Sequence, residues 1–508
     1  MAFRGFDVTQ IHALAGDLGK VSGSALGVHR AVAAVLTEAQ GLLKGKPATT
    51  DPLLAPLVGQ EDPRGPLLPN PFGPGIPIGP LHLPGALEPE LSAMAGSMKR
   101  RCRQLEAAKD LIDQGYRIDS TMLFLDEKAA NEKNVTKAID AMKGLDGKEF
   151  GSNGNRDDLE KVAKTLDGLT AAELDAFFDK VPAADLKRYN DLVNDTDSGW
   201  MTFWQDNGLP EGDRRDHFSR ILARVGPTHW DKVKAAFPSV QPGFTTTDVY
   251  LDGQNSQSGE KSAGIKWGMP TDPMFKDGVS GNDVGQGTFA DCWYIASLAA
   301  TAQADPKFIQ EGLKQNPNGT VDVRIWDKDG KFHWVTVTPD LPVDESGSPV
   351  SAYGNGETWP AYYEKAFALM YAGDKGGAPD GRDGDDRYDR AERGSYGATE
   401  WDFNEKAPPY LTGKDSEGID NDLGDIKNAF ESGRPVIVST GSGDGMDEKG
   451  KQLWGDTFST RHVYYVKGFK DGKILLGNPW GSNYATIEAT PEQYKEFFGD
   501  PQALQVPK

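Results

Sequence analysis

The stretch GQGTFADCWYIASLAATAQ, residues 285–303, is the most informative part of the C-terminal half of the chain. A glycine-rich turn leads here into alanines and large apolar residues, which predicts a buried helix with Asp291 near its N-cap and Cys292 in its first turn. A thiol at a helix start faces unsatisfied backbone N–H groups and the positive end of the helix dipole, which lower its pKa. We expect a reactive cysteine here, although a buried cysteine among small residues can also serve packing alone.

A second informative stretch is RHVYYVKGFKDGKILLGNPWG, residues 461–481. Two β-patterned runs flank the turn Asp471-Gly472, which predicts a hairpin that brings His462 and Asn478 side by side. A cysteine nucleophile needs a histidine to take its proton, and that histidine needs a third group to orient its ring. Asn478 can supply the orienting oxygen. The alternative is an ordinary strand histidine that hydrogen-bonds to backbone groups.

The composition limits the classes of partner. The 508 residues contain 76 Asp and Glu against 55 Lys and Arg, a net charge of −21, so nucleic acids and anionic membrane surfaces would be repelled. No run approaches the roughly 18 apolar residues that cross a bilayer, and the opening MAFRGFDVTQ does not have the pattern of a cleavable signal peptide. The two cysteines, Cys102 and Cys292, are expected to be free thiols.

The N-terminal half is predicted to be all-α. Residues 1–134 should form a helical hairpin, because a heptad stripe over residues 11–42 and a second apolar face over residues 91–112 can pair with each other. The proline-rich segment 47–89 between them reads as an extended connector. Residues 135–245 predict a small helical domain of shorter pieces.

Within that second domain, Thr170 and Glu173 have the spacing of a capping box at a helix start. Beyond about residue 240, glycine-rich segments and short β-patterned runs replace the helical pattern. The sequence therefore predicts an all-α first half followed by a region of mixed helix and strand.

Several motifs of that third region, taken in order, resemble the calpain family of papain-like cysteine proteases. They are Gln286-Gly287, Asp291-Cys292-Trp293, FHWVTVTPDLPVD (332–344), ETWPAYYEKAFALM (357–370), His462 and Asn478-Pro479-Trp480-Gly481. The resemblance covers roughly residues 265 to 500 and departs from the family pattern at Ala290, where glycine is usual. It implies an α+β, papain-like core of two subdomains: a mainly helical, Cys-bearing one over 265–396 and a β-rich, His/Asn-bearing one over 397–508.

The resemblance also implies a role for each matching residue. Cys292 would be the nucleophile, His462 the general base and later the acid, and Asn478 the orienting amide. Gln286 would donate a side-chain N–H to the developing oxyanion together with the backbone N–H of Cys292. Trp480 would shield the hydrogen bond between His462 and Asn478 from water.

Calpains are typically calcium-dependent, and Asp283 and Glu357 match the acidic ligands of the calcium site in the Cys-bearing subdomain. Carboxylate oxygens suit Ca²⁺. The stretch SNYATIE after the NPWG motif lacks the acidic residue expected for a second site. The acid-rich loop 373–392 could also bind calcium, but its spacing is not that of an EF-hand, and a solvated loop is the simpler interpretation.

The resulting expectation is a calpain-like cysteine endopeptidase that cleaves protein substrates through a thioester acyl-enzyme. One alternative is a papain-like acyl transferase or deamidase that uses the same three residues. Another is a binding protein with a dormant protease site, and a third is a zymogen whose helical region blocks the cleft.

The helical hairpin also resembles modules of bacterial proteins exported by type VII secretion, which implies a bacterial calpain-like protein with the secretion machinery as a partner. The W-x-G turn of compact type VII substrates is missing from the hairpin. An alternative of equal weight to an export module is that this hairpin is a regulatory or dimerising coiled coil with a helical partner. The sequence leaves localisation open between the cytoplasm and export without a signal peptide.

Overall fold

The computed structural model describes residues 130–145, 156–194, 208–244, 264–327, 330–371 and 394–507, together with Ala108 and two short strands, β1 (Tyr250–Leu251) and β2 (Gln254–Asn255). The predicted heptad helix over 11–42, the connector 47–89 and the acid-rich loop 373–392 lie outside the described residues, as does the predicted second helix except Ala108. From residue 130 onward the described residues belong to one unit, Leu111–Lys508. None of the described helices is long and apolar enough to span a membrane.

Among the residues described from 130 onward, the first helix begins at Glu132. Thr170 and Glu173 form the expected capping box, in which each side chain accepts a hydrogen bond from the other residue's backbone N–H. The helices are α1 (Glu132–Lys143), α2 (Arg156–Asp167), α3 (Ala171–Lys180), α4 (Ala183–Val193), α5 (Glu211–Leu222) and α6 (Trp230–Ala236).

The Cys-bearing part was predicted to be mainly helical, and it also contains an antiparallel three-stranded sheet in the order β4-β5-β6. Helix α7 is buried along nearly its whole length, because its alanines allow neighbouring elements to approach closely. The elements are β3 (Lys266–Gly268), α7 (Cys292–Ala304), α8 (Pro306–Glu311), β4 (Leu313–Gln315), β5 (Val321–Trp326), β6 (Phe332–Val337), β7 (Leu341–Val343) and α9 (Trp359–Met370).

The C-terminal part is built on an antiparallel six-stranded sheet in the order β12-β11-β10-β9-β13-β8. Its central hairpin joins β10 and β11 through Asp471 and Gly472, whose φ angles of 50° and 78° are those of a type I′ turn. The elements are α10 (Ala407–Thr412), β8 (Glu417–Gly418), α11 (Leu423–Glu431), β9 (Val436–Thr440), α12 (Met446–Trp454), β10 (Val463–Lys470), β11 (Lys473–Gly477), β12 (Ile487–Ala489), α13 (Pro491–Phe497) and β13 (Phe498–Ala503).

Helix α7 packs directly against strand β10, which brings the two parts together at the candidate site. Cys292, Val463 and Tyr465 belong to the same buried apolar cluster. Farther along the same contact, the Gln303 side-chain N–H donates to the carbonyl oxygen of Val466 at 3.0 Å. Packing near the start of α7 and a hydrogen bond near its end therefore fix the position of the helix along β10.

The helical region is docked on the Cys-bearing part. Helix α5 covers the outer edge of β6, where the Thr336 backbone N–H donates to the Ser219 hydroxyl at 3.1 Å. The buried Asn318 side chain donates to the carbonyl oxygens of Leu222 and Val225, both at 2.8 Å, and so satisfies acceptors at the end of α5. An open strand edge can pair with strands of other chains, so the packing of α5 against this edge protects the sheet from such pairing.

A buried ion pair adds to the contact between the helical region and the Cys-bearing part. The Lys365 ammonium, which has no exposed side-chain surface, donates to the Asp340 carboxylate at 3.0 Å and to the Thr338 carbonyl at 2.9 Å. Lys234 of the helical region lies 3.7 Å from the same Asp340 carboxylate. Burial acts to raise the pKa of Asp340, but the charges of Lys365 and Lys234 outweigh it and lower that pKa. Asp340 is therefore an anion shared by the two parts.

Candidate active site

Cys292 is the first residue of α7, with Asp291 as the N-cap, as the sequence predicted. The Cys292 side chain is almost fully buried, with 8% of its surface exposed, and it belongs to the same buried cluster as Val463. His462 directly precedes that residue. The structure therefore places the cysteine beside the strand end that carries the histidine, although no hydrogen bond joins the Cys292 sulfur to the His462 ring among the described residues.

Two backbone hydrogen bonds hold the loop before Cys292 in place. The backbone N–H of Gln286 donates to the Pro479 carbonyl at 2.6 Å, which ties the loop to the segment that carries Asn478 and Trp480. On the other side, the Thr288 N–H donates to the Val350 carbonyl at 2.7 Å.

Glycine is required in this loop because of the close approach. A Cβ atom at Gly287 would overlap the Val350 carbonyl, and one at Gly285 would overlap the carbonyl of Tyr353. Larger residues at either position would push the loop away from its partners.

His462 and Asn478 meet at the base of the β10–β11 hairpin. The His462 Nε2 lies 3.0 Å from the Asn478 Oδ1, and both residues are buried. The Asn478 amide has a defined orientation, because its Nδ2 donates to the Thr457 carbonyl at 2.8 Å and its Oδ1 accepts from the Trp480 N–H at 2.8 Å. An oxygen that accepts from Nε2 requires the proton on that nitrogen, so the Nδ1 of neutral His462 carries a lone pair.

Aromatic rings enclose the histidine. The Trp480 ring centroid lies 4.7 Å from that of His462 with the rings tilted by 42°, and the Tyr464 ring packs edge-on against His462 at 5.0 Å. The Tyr464 hydroxyl is itself held by the Thr457 carbonyl at 3.0 Å. Water is therefore kept from the His462–Asn478 hydrogen bond, which strengthens it.

The electrostatics of the resting site follow from its burial. Burial raises the pKa of the Cys292 thiol to about 12, with a further contribution from the nearby charge of Asp291. Burial also lowers the pKa of His462 to about 4, which the hydrogen bond that His462 donates to Asn478 only partly opposes. At neutral pH the site thus holds a thiol and a neutral imidazole. The sequence predicted a lowered thiol pKa at the helix start, whereas in this structure burial raises it.

Gln286 is half-buried six residues before Cys292. Its side-chain Nε2 donates to the Phe289 carbonyl at 2.6 Å, which leaves the second N–H of the same amide available to another acceptor. The buried Oε1 has no hydrogen-bond partner among the described residues.

Asp283 and Glu357 are both buried, with 3% and 0% of their surface exposed. Glu357 Oε1 accepts from the backbone N–H groups of Lys276 and Asp277 at 2.6 and 2.9 Å, whereas its buried Oε2 has no hydrogen-bond partner among the described residues. Burial raises the pKa of Glu357, and the charges of Asp283 and Asp277 raise it further. The two predicted residues therefore lie near enough to repel each other.

In the described part of the chain, no group of three or more His, Cys, Asp or Glu side chains is placed to hold a metal ion. A cation bound by Asp283 and Glu357 would need its other ligands from backbone carbonyls or water. The Glu357 Oε2 atom, which has no hydrogen-bond partner among the described residues, suits a hard cation such as Ca²⁺. Both Asp283 oxygens already accept hydrogen bonds, from the Ser280 N–H and the Asn355 side chain.

The sequence did not single out some residues that hold the site. Thr457 orients Asn478 through a backbone carbonyl, and no side-chain pattern reveals such a contact. The buried carboxylate of Glu400 accepts from the Ala290 N–H at 3.2 Å, which anchors the residue before Asp291. Glu364 is the third residue that the sequence analysis did not single out. It could have been noticed, because it is an acidic residue within the apolar run AYYEKAFALM.

Part of the chain is similar to known proteins. Residues 240–375 match a model of the calpain family cysteine proteases. The calpain-1 catalytic subunits of Pongo abelii and Homo sapiens are each 32% identical, over 268 and 270 residues, and each alignment covers 48% of this chain and 34% of the relative. The calpain-2 catalytic subunit of Bos taurus is 28% identical over 241 residues, which are 44% of this chain and 32% of the relative.

The chain spans about a third of the length of the curated relatives it matches. The matched family region holds Cys292, Gln286, Asp283 and Glu357 and ends before His462 and Asn478. The β10–β11 hairpin lies outside the matched region. It carries a histidine and an asparagine to the start of α7. The protein thus contains a region similar to the calpain family cysteine proteases.

Proposed function

We propose that the protein is a cysteine endopeptidase that cleaves protein substrates with Cys292, His462 and Asn478. The observation that carries this proposal is the hydrogen bond from His462 Nε2 to an Asn478 amide whose orientation is held by Thr457 and Trp480. This arrangement leaves Nδ1 as the basic nitrogen, on a residue that directly precedes Val463, which belongs to the same buried cluster as Cys292.

In the first half of the reaction, the Cys292 sulfur attacks the substrate carbonyl carbon while the thiol proton moves to His462 Nδ1. The carbon–nitrogen bond then breaks, and His462 returns the proton to the departing amine, which leaves a thioester on Cys292. In the second half, His462 takes a proton from water as the water oxygen attacks the thioester carbon, and the thiol is released.

The developing oxyanion would be stabilised by the Cys292 backbone N–H, which as the first of a helix has no intrahelical acceptor. The second side-chain N–H of Gln286 would be the other donor. One such donor contributes about 3 kcal/mol to the transition state in well-studied hydrolases. The preceding glycines keep this loop tight against Pro479 and Val350, so both donors are positioned before the substrate arrives.

The proposal is tested by identifying the products. We expect the purified chain to shorten an unfolded protein substrate, with new termini visible by mass spectrometry, because water is the acceptor of the acyl group. A deamidase or acyl transferase would change side-chain masses and leave the substrate chain intact. A chain that forms no product of either kind while binding the substrate would point to a dormant site instead, and self-cleavage that precedes activity would point to a zymogen.

We also propose that Asp283 and Glu357 hold Ca²⁺. The bound ion would supply positive charge to two buried carboxylates whose pKa values burial raises, and the charge of Asp283 raises the pKa of Glu357 further. It would thereby hold the segment that leads to Gln286 against the start of α9.

A thermal unfolding experiment tests this site without any substrate. Saturating Ca²⁺ is expected to raise the Tm of the wild-type chain by about 2–4 °C relative to chelator, because a ligand that binds only the folded state stabilises it. Glu357→Gln should lose the shift, and Glu431→Gln, at an exposed position on α11, should keep it. An equal shift in all three proteins, or none in the wild type, would contradict the proposed site.

A further inference from the structure

The peptide group between Phe289 and Ala290 is bound at both of its polar ends. Its carbonyl oxygen, on Phe289, accepts from the Gln286 side-chain Nε2 at 2.6 Å. Its N–H, on Ala290, donates to the Glu400 Oε1 at 3.2 Å. Glu400 has 0% of its surface exposed, so water does not compete for this hydrogen bond at the carboxyl oxygen. A chain of two hydrogen bonds therefore runs from Gln286 through one peptide group to Glu400.

The residues on either side of Glu400 hold the start of α7 as well. The Trp401 backbone N–H donates to the Ala290 carbonyl at 3.0 Å, so two consecutive residues bind both backbone groups of Ala290. The Trp293 Nε1, one turn into the helix start, donates to the Thr399 carbonyl at 2.9 Å. These contacts fix the point from which Glu400 reaches the peptide N–H.

The placement of this segment is maintained from both of its ends. Upstream, the Tyr396 ring stacks on the Phe289 ring, with 4.3 Å between the ring centroids. Downstream, Trp401 has a φ of 57°, in the left-handed region that a bulky residue rarely adopts. Such a conformation costs free energy and persists where the surrounding contacts require it, often next to a functional site.

We propose that Glu400 is a positioning residue for Gln286, the side chain proposed above as an oxyanion donor. Glu400 holds the N–H of the peptide group and so fixes the direction of its carbonyl. That carbonyl occupies one N–H of the Gln286 amide, which directs the second N–H toward the place of the oxyanion. The inference rests on the proposed protease function and deepens it. Because Glu400 has no exposed surface, it does not touch the substrate, and it acts on kcat and not on KM.

Two variants at position 400 separate the hydrogen bond from simple packing. Glu400→Gln keeps an oxygen that can accept from the Ala290 N–H, whereas Glu400→Met has a similar length and no such acceptor. We expect kcat to stay within a few-fold of wild type for Glu400→Gln. For Glu400→Met it should fall roughly 10–100-fold, less than the loss of a complete oxyanion donor, with KM unchanged.

Two reagents for Cys292 give a readout that needs no proteolysis, in a Cys102→Ser background. With iodoacetamide the sulfur displaces iodide from a methylene carbon, the thiol proton passes to His462, and no oxyanion forms. With the peptide nitrile acetyl-leucyl-glycinonitrile the sulfur adds to the nitrile carbon and the thiol proton passes through His462 to the nitrogen. The nitrogen of the resulting thioimidate takes the place of the oxyanion and accepts from the same donors.

Nitrile affinity is measured as protection of Cys292 from iodoacetamide, followed by mass spectrometry. We expect Glu400→Met to weaken nitrile binding roughly 10-fold, because the oxyanion donor is misplaced, and to leave the alkylation rate within about 2-fold of wild type. Glu400→Gln should resemble wild type with both reagents. Gln286→Ala should weaken nitrile binding at least as much as Glu400→Met, and the double variant should lose little more, because Glu400 acts through Gln286.

Equal nitrile affinity in wild type and Glu400→Met would overturn the positioning role, and so would alkylation that falls as much as nitrile binding. Additive losses in the double variant would overturn the route through Gln286. A wild type that is alkylated but binds no nitrile would overturn the donor arrangement itself. If both reagents behave as expected while no protein cleaves a substrate, the protease function fails and the positioning role stands. Equal cleavage by wild type and Glu400→Met would have the opposite meaning.

Discussion

Cys292→Ala is expected to lower the rate of substrate cleavage by roughly 10⁴-fold or more, because no other side chain at the start of α7 can form the acyl intermediate. The measurement is kcat/KM on an unfolded protein substrate. The matched control is Cys102→Ala, which removes the other thiol of the chain and should keep wild-type activity.

His462→Ala should cause a comparable loss, and the double variant little more, because residues that act as one catalytic unit are not additive. The Tm of each variant should also be measured, so that a loss of activity is separated from a loss of folding. Substantial cleavage by the Cys292→Ala protein would mean that the chemistry lies elsewhere in the chain.

Asn478→Ala is expected to lower kcat roughly 10²-fold with little change in KM, since Asn478 is buried and acts only by holding the His462 ring. Without the Oδ1 acceptor, Nε2 loses the partner that keeps its proton, and the ring can adopt the wrong tautomer. Steady-state kinetics across pH would measure both effects. A variant with a raised KM and an unchanged kcat would place Asn478 in substrate binding instead.

Asn478→Asp is the matched variant, because it keeps an acceptor for His462 but adds a negative charge and sets an oxygen against the Thr457 carbonyl. The added charge stabilises the imidazolium, so the pKa of His462 should rise from about 4. Neutral His462 is then available only above a higher pH, and the acidic limb of kcat/KM should move upward. An unmoved acidic limb would show that this limb does not report His462.

Much of the local structure was predictable because it depends on neighbours in the chain. The turn Asp471-Gly472 favours positive φ at both central residues, and the flanking β-patterned runs then require His462 and Asn478 to meet. The start of α7 at Cys292 follows in the same way from a glycine-rich turn that leads into an apolar run. The calcium site and the export module of the N-terminal half stay predictions.

Other features depend on contacts between distant segments. The sequence indicated Asp291 near an N-cap, but the residue before it is anchored by the Glu400 carboxylate, far along the chain, which accepts from the Ala290 N–H. The docking of α5 on β6 likewise has no local signal, because it rests on Ser219 and Asn318 satisfying backbone groups far along the chain.

A cysteine at a helix start, a histidine and an asparagine on one hairpin, and the family that these residues resemble could therefore be predicted from the order of residues in the chain. The protonation states of these residues could not, because they depend on how the folded chain excludes water. Burial removes the water that would solvate a thiolate or an imidazolium, so Cys292 and His462 are both neutral at rest. Loss of solvent is a property of the packed whole, which no local pattern of residues encodes.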